Sequence, residues 1–244
     1  MSTDGKPHIV AIGGGSFIPN GRWGSSPSPL IRYALDLTGQ DRPRVCLVLT
    51  AVGDASEYLA RMYASFSQLD VEVSHLALYP MPNHEDPRAH LLSQDLVYVS
   101  GGSVANLRAL WGVHGLDTAF RDAWEAGVVL SGQSAGALCW HVGGNTDSYG
   151  PALRPFTDGL GLVPYGCGVH YDSEEQRRPS LHKLVGDGTL PTAYAADEGV
   201  ALHYVGTEFV QAVSFREGQG AYEVTADGAG GAKETRIEPR LLGP

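Results

Sequence analysis

The sequence has few cysteines and no long apolar run. Cys46, Cys139 and Cys167 are an odd number separated by long, unequal gaps, so they indicate neither a disulfide framework nor a zinc site. No apolar stretch approaches the roughly 20 residues that a membrane-spanning helix needs. The polar residues 1–6 also lack the basic and then apolar layout of a secretion signal. These absences predict a cytoplasmic protein without a structural metal.

Positive charge is scarce as well. The 244 residues include 17 lysines and arginines against 27 aspartates and glutamates, which gives a formal net charge of −10. The basic residues are scattered rather than gathered in a stripe, and this argues against nucleic acid or an anionic membrane as a partner. With a hydrophobic share of 43%, the length suits a single α/β domain over 1–244 and is short for two full domains.

Apolar strand-like runs alternate with helical patterns through the first 140 residues. This alternation predicts an α/β fold with a doubly wound, mostly parallel sheet and helices on both of its faces. Beyond residue 159 the spacing shortens and predicts short additional strands in the C-terminal third, at 200–204, 208–213 and 220–224. Residues 1–6 and 226–244 are expected to be peripheral or flexible.

The segment 127–140 joins an apolar strand to a small-residue helix through the pentapeptide Gly-Gln-Ser-Ala-Gly at 132–136. This matches the Gly-x-Ser-x-Gly nucleophile elbow. A turn that raises a serine out of a strand end strains the backbone and leaves its neighbours no room for a Cβ, so the flanking glycines suit it. Ser134 is therefore the candidate nucleophile. Five residues alone leave open a Gly-rich turn without chemistry.

A serine hydroxyl needs a general base within hydrogen-bond reach, and a carboxylate usually orients that base. Among the nine histidines, His170 stands between the strand-like run Tyr-Gly-Cys-Gly-Val and the turn Tyr-Asp-Ser-Glu-Glu. A strand's carboxyl end is where an α/β sheet binds its ligands, so His170 is the candidate base. Asp147, Asp197 and Glu198 are candidate acids, and sequence context selects none of them.

Three motifs taken together resemble the peptidase E (aspartyl dipeptidase) family of serine peptidases. They are Ser-Gly-Gly-Ser at 100–103, Gly-Gln-Ser-Ala-Gly-Ala at 132–137 and Val-His-Tyr-Asp at 169–172. That family includes the cyanophycinases and has the class I glutamine amidotransferase-like fold, and the likeness covers most of the chain. The resemblance implies that Ser134 is the nucleophile and His170 the base.

The resemblance implies two alternative acids. Aspartyl dipeptidases proper take an aspartate shortly after the nucleophile, which corresponds to Asp147. Cyanophycinase-like members use a glutamate in an Asp-Glu pair beyond the histidine, which corresponds to Asp197 and Glu198. The run Ala-Asp-Glu-Gly-Val-Ala-Leu at 196–202 is the closer match of the two, so Glu198 is the predicted acid.

The resemblance also implies where the oxyanion and the substrate bind. Its oxyanion hole takes backbone N–H groups from Gly102 or Gly101 and from the residue after the nucleophile, Ala135. Aspartyl dipeptidases select an N-terminal aspartate through a basic residue beyond the histidine. Arg177 and Arg178 are the candidates here, although they lie nearer to the histidine than that pattern has it, and a solvated helix face is their alternative role.

The expected function is a serine exopeptidase that hydrolyses short peptides through an acyl-enzyme, with N-terminal aspartate as one candidate preference. A cyanophycinase-type hydrolase of β-aspartyl-arginine and a non-catalytic glutamine amidotransferase-like binding protein are the alternatives. A triad supplies its own base and electrophile, so neither a metal nor an organic cofactor is implied. A small peptide is the expected partner, and because family members are often dimers, the resemblance implies a homodimer.

Overall fold

The computed structural model describes residues 6–22 and 24–243. Its strands, numbered along the chain, are β1 (His8–Ile12), β2 (Phe17–Asn20), β3 (Gly24–Pro27), β4 (Arg44–Val48), β5 (Glu72–Leu76), β6 (Leu96–Val99), β7 (Val129–Gln133), β8 (Gly143–Thr146), β9 (Arg154–Phe156), β10 (Gly166–Gly168), β11 (Ala193–Ala196), β12 (Val200–Val205), β13 (Glu208–Ser214), β14 (Ala221–Ala226), β15 (Ala232–Ile237) and β16 (Arg240–Leu241). Its helices are α1 (Pro29–Asp36), α2 (Ser56–Phe66), α3 (Pro87–Leu92), α4 (Val104–Val113), α5 (Leu116–Glu125), α6 (Ala135–Leu138) and α7 (Arg177–Gly186). No helix in the described ranges is long and apolar enough to cross a membrane.

The larger sheet has the strand order β16-β13-β12-β1-β7-β6-β4-β5. Its five neighbouring strands β1, β7, β6, β4 and β5 are parallel, and β12 and β13 extend the sheet in antiparallel pairing. Strands β1 and β6 are buried along their whole length. A parallel sheet that is covered on both faces reads as a continuous apolar run, which is why the sequence predicts these strands well.

Alternate side chains of β1 point to opposite faces of this sheet. Val10 and Ile12 belong to a core that includes the apolar side chains of α1 and α2. Ile9 and Ala11 belong to a second core that includes those of α4, α5 and α6. Helices therefore cover both faces, and the predicted doubly wound, mostly parallel α/β architecture is confirmed.

A second, six-stranded sheet has the order β15-β14-β11-β10-β8-β9. Cys167 of β10 and Ala196 of β11 share a core with the larger sheet. Leu181 of α7 and Val224 of β14 form a separate core on the other side. The sequence predicts a strand at 220–224, which is β14, and a strand-like run that contains β10. It does not predict that they join a separate sheet, because strands as short as the Gly-Cys-Gly of β10 have no apolar periodicity.

The C-terminal residues contribute an edge strand to each sheet. Strand β15 pairs with β14 over six residues, and β16 pairs with β13. Within residues 226–244, these two strands lie at the periphery, as one of the two expectations had it, and are hydrogen-bonded into the sheets. Of the N-terminal residues 1–6, only Lys6 lies within the described ranges.

Two buried histidines make stability depend on pH. His141 bonds to the Ala137 carbonyl oxygen and the Tyr204 hydroxyl, and His203 bonds to the Tyr33 hydroxyl. Burial lowers the pKa of each histidine to about 4. The unfolded chain, with histidine pKa values near ~6.5, therefore binds more protons than the folded chain between these limits.

We expect the free energy of unfolding to fall as the pH falls from about 6.5 towards about 4, by up to about 1.4 kcal/mol per pH unit for each buried histidine. Denaturant unfolding at pH 7 and at pH 5 measures the change. Replacing His141 with a neutral side chain is expected to reduce the slope. Equal free energies at the two pH values would contradict the prediction.

Candidate active site

Three neighbouring parallel strands end at the same edge of the larger sheet. Strand β1 is followed by a loop of three glycines, 13–15; β7 is followed by Ser134; and β6 is followed by the turn Ser-Gly-Gly, 100–102. In open α/β sheets, ligands bind at the carboxyl ends of the strands. The edge formed by the carboxyl ends of β1, β7 and β6 is therefore the expected position of an active site.

Ser134 has a strained backbone at the β7 end. Its φ is 53° and its ψ is −112°, a conformation that costs a non-glycine residue on the order of 1–3 kcal/mol. Its N–H donates to the Ile12 carbonyl oxygen at 3.1 Å, and α6 begins at the next residue. This is the strand-turn-helix geometry of a nucleophile elbow, with the Ser134 side chain half-buried.

The glycines on either side of the elbow are required by close packing. A Cβ on Gly132 would lie 2.5 Å from the Gly136 carbonyl oxygen and 2.7 Å from that of Val99. A Cβ on Gly136 would overlap the Val99 carbonyl group. The elbow thus packs directly on the end of β6, which explains the Gly-x-Ser-x-Gly pattern in terms of contacts.

His170 is held at the same strand end as Ser134. Its backbone N–H donates to the Gly13 carbonyl oxygen at 3.2 Å, next to the Ile12 carbonyl that holds Ser134. Its φ is also positive, at 52°. In the described part of the chain, no hydrogen bond joins the Ser134 hydroxyl to the His170 ring. Such contacts often tighten only when a substrate binds.

Glu198, in the connection between β11 and β12, bonds to the His170 ring. Its Oε1 lies 2.5 Å from His170 Nδ1. When Nδ1 carries the proton and donates to this carboxylate, Nε2 carries the lone pair and is able to accept a proton. The carboxylate lies against Gly14, where an added Cβ would overlap both of its oxygens.

We expect Gly14→Ala to lower peptidase activity at least tenfold, because the new methyl group displaces the Glu198 carboxylate from His170 and misplaced catalytic groups lose large factors in rate. Gly112→Ala is the matched control. Gly112 lies within α4 with nothing near its Cβ position, and alanine favours a helix. Steady-state kinetics and thermal melts of both variants test this, and full activity in Gly14→Ala would contradict it.

The other two candidate acids have different partners. Asp147 is 60% exposed and lies 3.7 Å from an Arg177 nitrogen. Asp197 is buried, and its carboxylate accepts from the Gly220 N–H at 2.8 Å and the Tyr222 hydroxyl at 3.3 Å. Burial raises the pKa of Asp197. The structure therefore brings Glu198 to His170 and leaves Asp147 and Asp197 in other contacts.

Arg177, a candidate for substrate binding, is buried within the protein. Its side chain is 3% exposed. It donates to the Glu174 carboxylate at 2.6 Å and to the Asn145 carbonyl oxygen at 2.9 Å. These contacts tie the start of α7 to β8, so Arg177 has a structural role in this conformation.

Arg178, the second candidate, also has partners within the chain. Its guanidinium carbon lies 4.6 Å from the centre of the Tyr171 ring and 4.3 Å from that of Tyr222. It donates to the Glu234 carboxylate at 2.6 Å. Stacking and pairing of this kind are typical of arginine. The Glu234 carboxylate therefore already occupies the position that the carboxylate of a substrate would need.

Two of the predicted oxyanion residues, Gly101 and Ala135, lie next to Ser134. A Cβ on Gly101 would lie 3.4 Å from that of Ser134. Gly102 has a φ of 135°, and a Cβ there would overlap the Ala51 carbonyl oxygen. Ala135 is the first residue of α6. Across residues 6–22 and 24–243, neither the Gly102 nor the Ala135 N–H donates to a backbone carbonyl.

Three further residues, Gly14, Gln133 and Asp172, contact the site in ways that the sequence motifs did not predict. The glycine run that contains Gly14 marks a close approach of two backbone segments. Gln133, inside the elbow motif, accepts from the Ser16 N–H at 2.9 Å. Asp172, inside the Val-His-Tyr-Asp motif, accepts from the Glu198 N–H at 2.8 Å.

Comparison with known proteins identifies the family of this chain. The model of peptidase family S51 matches residues 9–212. The chain belongs to peptidase family S51. This S51 peptidase is 40% identical over 220 residues to the uncharacterized peptidase YgaJ of Bacillus subtilis strain 168, and the match covers 88% of this chain and 91% of that protein. The predicted peptidase E family and the serine peptidase class are thereby confirmed.

Two solved structures share the fold of the S51 peptidase. A peptidase from an acI-B1 actinobacterium matches with a TM-score of 0.64 and 17% identity, over 95% of this chain and 97% of that one. A putative peptidase E from Listeria monocytogenes EGD-e matches with a TM-score of 0.61 and 17% identity, over 86% and 100%. The architecture is consistent with the predicted class I glutamine amidotransferase-like fold.

Proposed function

We propose that this S51 peptidase is an exopeptidase that hydrolyses short peptides through an acyl-enzyme on Ser134, with His170 as general base and Glu198 as the acid that orients it. The hydrogen bond between His170 and Glu198, set beside the strained Ser134 elbow, carries the proposal. A nucleophile, a base and an orienting carboxylate together define a serine triad.

The first half of the reaction makes the ester. Ser134 Oγ attacks the carbonyl carbon of the scissile bond, and His170 Nε2 takes the hydroxyl proton. The carbonyl electron pair moves to oxygen, where the N–H groups of Ala135 and of Gly102 or Gly101 stabilise the negative charge. The carbon–nitrogen bond then breaks, and His170 gives its proton to the leaving amine.

The second half releases the product. Water attacks the ester carbon, His170 again takes a proton, and collapse of the tetrahedral intermediate returns that proton to Ser134 Oγ. Glu198 remains ionised throughout and stabilises the imidazolium that forms twice in each turnover. This sequence regenerates the enzyme without a metal ion or an organic cofactor.

An N-terminal aspartate is the first substrate feature to test, because the aspartyl dipeptidases that this chain resembles select it. The structure supplies no unpaired arginine among the candidates, since Arg177 and Arg178 are both paired with glutamates. We therefore propose a broader preference for short peptides, with aspartate as one accepted N-terminal residue.

A second candidate, hydrolysis of β-aspartyl-arginine, is favoured by one observation. A cleft of about 260 Å³ is lined by the carboxylate residues Asp147, Glu174 and Glu175. It lies close to the site, because the Glu174 N–H donates to the His170 carbonyl oxygen at 3.1 Å. Asp147 and Glu174 both contact Arg177, so the three carboxylates of the cleft are offset by one guanidinium and leave a net negative charge, which suits a cationic side chain.

A dipeptide panel separates these functions. It compares substrates with N-terminal aspartate, substrates with neutral N-terminal residues, and β-aspartyl-arginine, each with a free and an acetylated amino terminus. The proposal predicts hydrolysis of several free dipeptides and at least tenfold slower hydrolysis of the acetylated ones. Exclusive cleavage of β-aspartyl-arginine would establish the second candidate, and no cleavage of any member would contradict both.

A further inference from the structure

Asp172 connects the turn that carries His170 to the loop that carries Glu198. One of its carboxylate oxygens accepts from the Glu198 backbone N–H at 2.8 Å. The other accepts from the side-chain amide of Gln219 at 2.8 Å, which lies in the connection between β13 and β14. A single exposed carboxylate thus joins three loops around the proposed base and acid.

The loop that carries Glu198 is fixed at each of its residues. The Asp197 N–H donates to the Gly220 carbonyl oxygen at 3.1 Å, and the Gly199 N–H donates to the Gly14 carbonyl oxygen at 3.0 Å. Glu198 itself is held through its N–H by Asp172. Without that bond, the Glu198 N–H loses its hydrogen-bond acceptor, whereas the N–H groups of Asp197 and Gly199 keep theirs. The backbone that carries the Glu198 side chain is then free to move.

We expect the Asp172 side chain to contribute little to the stability of the fold. Its side chain lies at the surface rather than in a core, and an exposed hydrogen bond contributes little net stability. Its backbone continues the turn in which the Glu174 N–H donates to the His170 carbonyl, and that turn does not depend on the carboxylate. Loss of the side chain should therefore move Glu198 without unfolding the protein.

We propose that Asp172 is a positioning residue for the reaction, which acts through Glu198 by fixing its backbone and so the orientation of the His170 ring. The inference rests on the proposed function of Ser134, His170 and Glu198. Asp172 makes no contact with the reacting bond in this role, so it affects the rate of the chemical step more than substrate binding.

The first test compares Asp172→Ala with Asp172→Asn. Alanine removes both acceptors, and we expect kcat to fall about 10- to 100-fold with KM changed less than threefold. Asparagine keeps an oxygen for the Glu198 N–H, and the Gln219 amide is able to turn its own oxygen towards the new amide. Activity within fivefold of wild type is therefore expected for asparagine. An asparagine variant as slow as the alanine variant would overturn the proposal in favour of a direct charge effect.

The second test is a double-mutant cycle. Because Asp172 acts through Glu198, Asp172→Ala should lower kcat less than twofold in a Glu198→Gln background. An equal loss in both backgrounds would overturn the proposal. Asp70→Ala is the control, since Asp70 is exposed, pairs with Arg42 at 3.4 Å and precedes β5 at the opposite edge of the sheet. It should retain wild-type kinetics.

Two further variants distinguish a failure of the role proposed for Asp172 from a failure of the proposed function. If Asp172→Ala does not fold, Gln219→Ala releases the second oxygen of Asp172 and should lower kcat with KM unchanged; a wild-type kcat in that variant would overturn the proposal. An active Ser134→Ala would remove the proposed function itself. A failed cycle together with an inactive Ser134→Ala removes only the role of Asp172.

Discussion

Ser134→Ala is expected to lower kcat for peptide hydrolysis on the order of a millionfold, because the nucleophilic oxygen is lost while the remaining groups retain only weak catalysis. The fold should be unchanged. Alanine keeps the Cβ of serine, so the strain at a φ of 53° stays the same, and the N–H bond to Ile12 involves only backbone. Circular dichroism and thermal melts verify the fold, and steady-state kinetics give the rate.

Ser131→Ala is the matched control for this prediction. Ser131 lies on the same strand, is fully buried and donates to the Val10 carbonyl oxygen at 3.1 Å. Its loss should cost about 1 kcal/mol of stability and leave kcat within a few-fold of wild type. Retention of wild-type activity by purified Ser134→Ala would show that another residue carries the reaction.

Glu198→Gln is expected to lower kcat about 100- to 10,000-fold. The neutral amide cannot stabilise the imidazolium, and its NH₂ group opposes the His170 tautomer that leaves Nε2 free to accept a proton. Glu198 accepts this bond at 2.5 Å, so the substitution acts directly on the base. KM should change little, since the carboxylate does not touch the peptide in the proposed reaction.

Asp147→Asn is the comparison that tests the choice of acid. Asp147 is largely exposed and contacts Arg177 rather than His170, and exposed ion pairs contribute at most about 1 kcal/mol. We expect Asp147→Asn to hydrolyse neutral dipeptides at nearly the wild-type rate. A severe loss in Asp147→Asn together with an active Glu198→Gln would reverse the assignment.

The parallel strands of the larger sheet were predictable because each one is recognised from its own short run of residues. Continuous apolar runs such as β1 and β6 are buried on both faces, and the Gly-rich turns that follow them mark where each strand stops. The second sheet was not predictable in the same way. Its strands β10 and β11 are short and consist mostly of small residues, and contacts with residues far along the chain order them.

The candidate site, like the fold, has one part that the sequence predicts locally and another part that depends on tertiary contacts. The elbow at Ser134 is a local pattern of five residues, two of them glycines, so the sequence alone predicted it. The choice among Asp147, Asp197 and Glu198 depends on how the connection between β11 and β12 reaches across to β1, which no spacing along the chain encodes. The resemblance favoured Glu198, and in the structure the Glu198 carboxylate bonds to His170 and packs against Gly14.

The central claim is that Ser134 becomes acylated, and covalent labelling tests it most directly. A fluorophosphonate phosphonylates an activated serine with loss of fluoride, and mass spectrometry of the digested protein locates the adduct. We predict one adduct per chain, on Ser134, with peptidase activity lost in proportion to labelling and with much slower labelling of His170→Ala. Full activity in a protein fully labelled at Ser134, or inactivation by an adduct on another residue, would contradict the account.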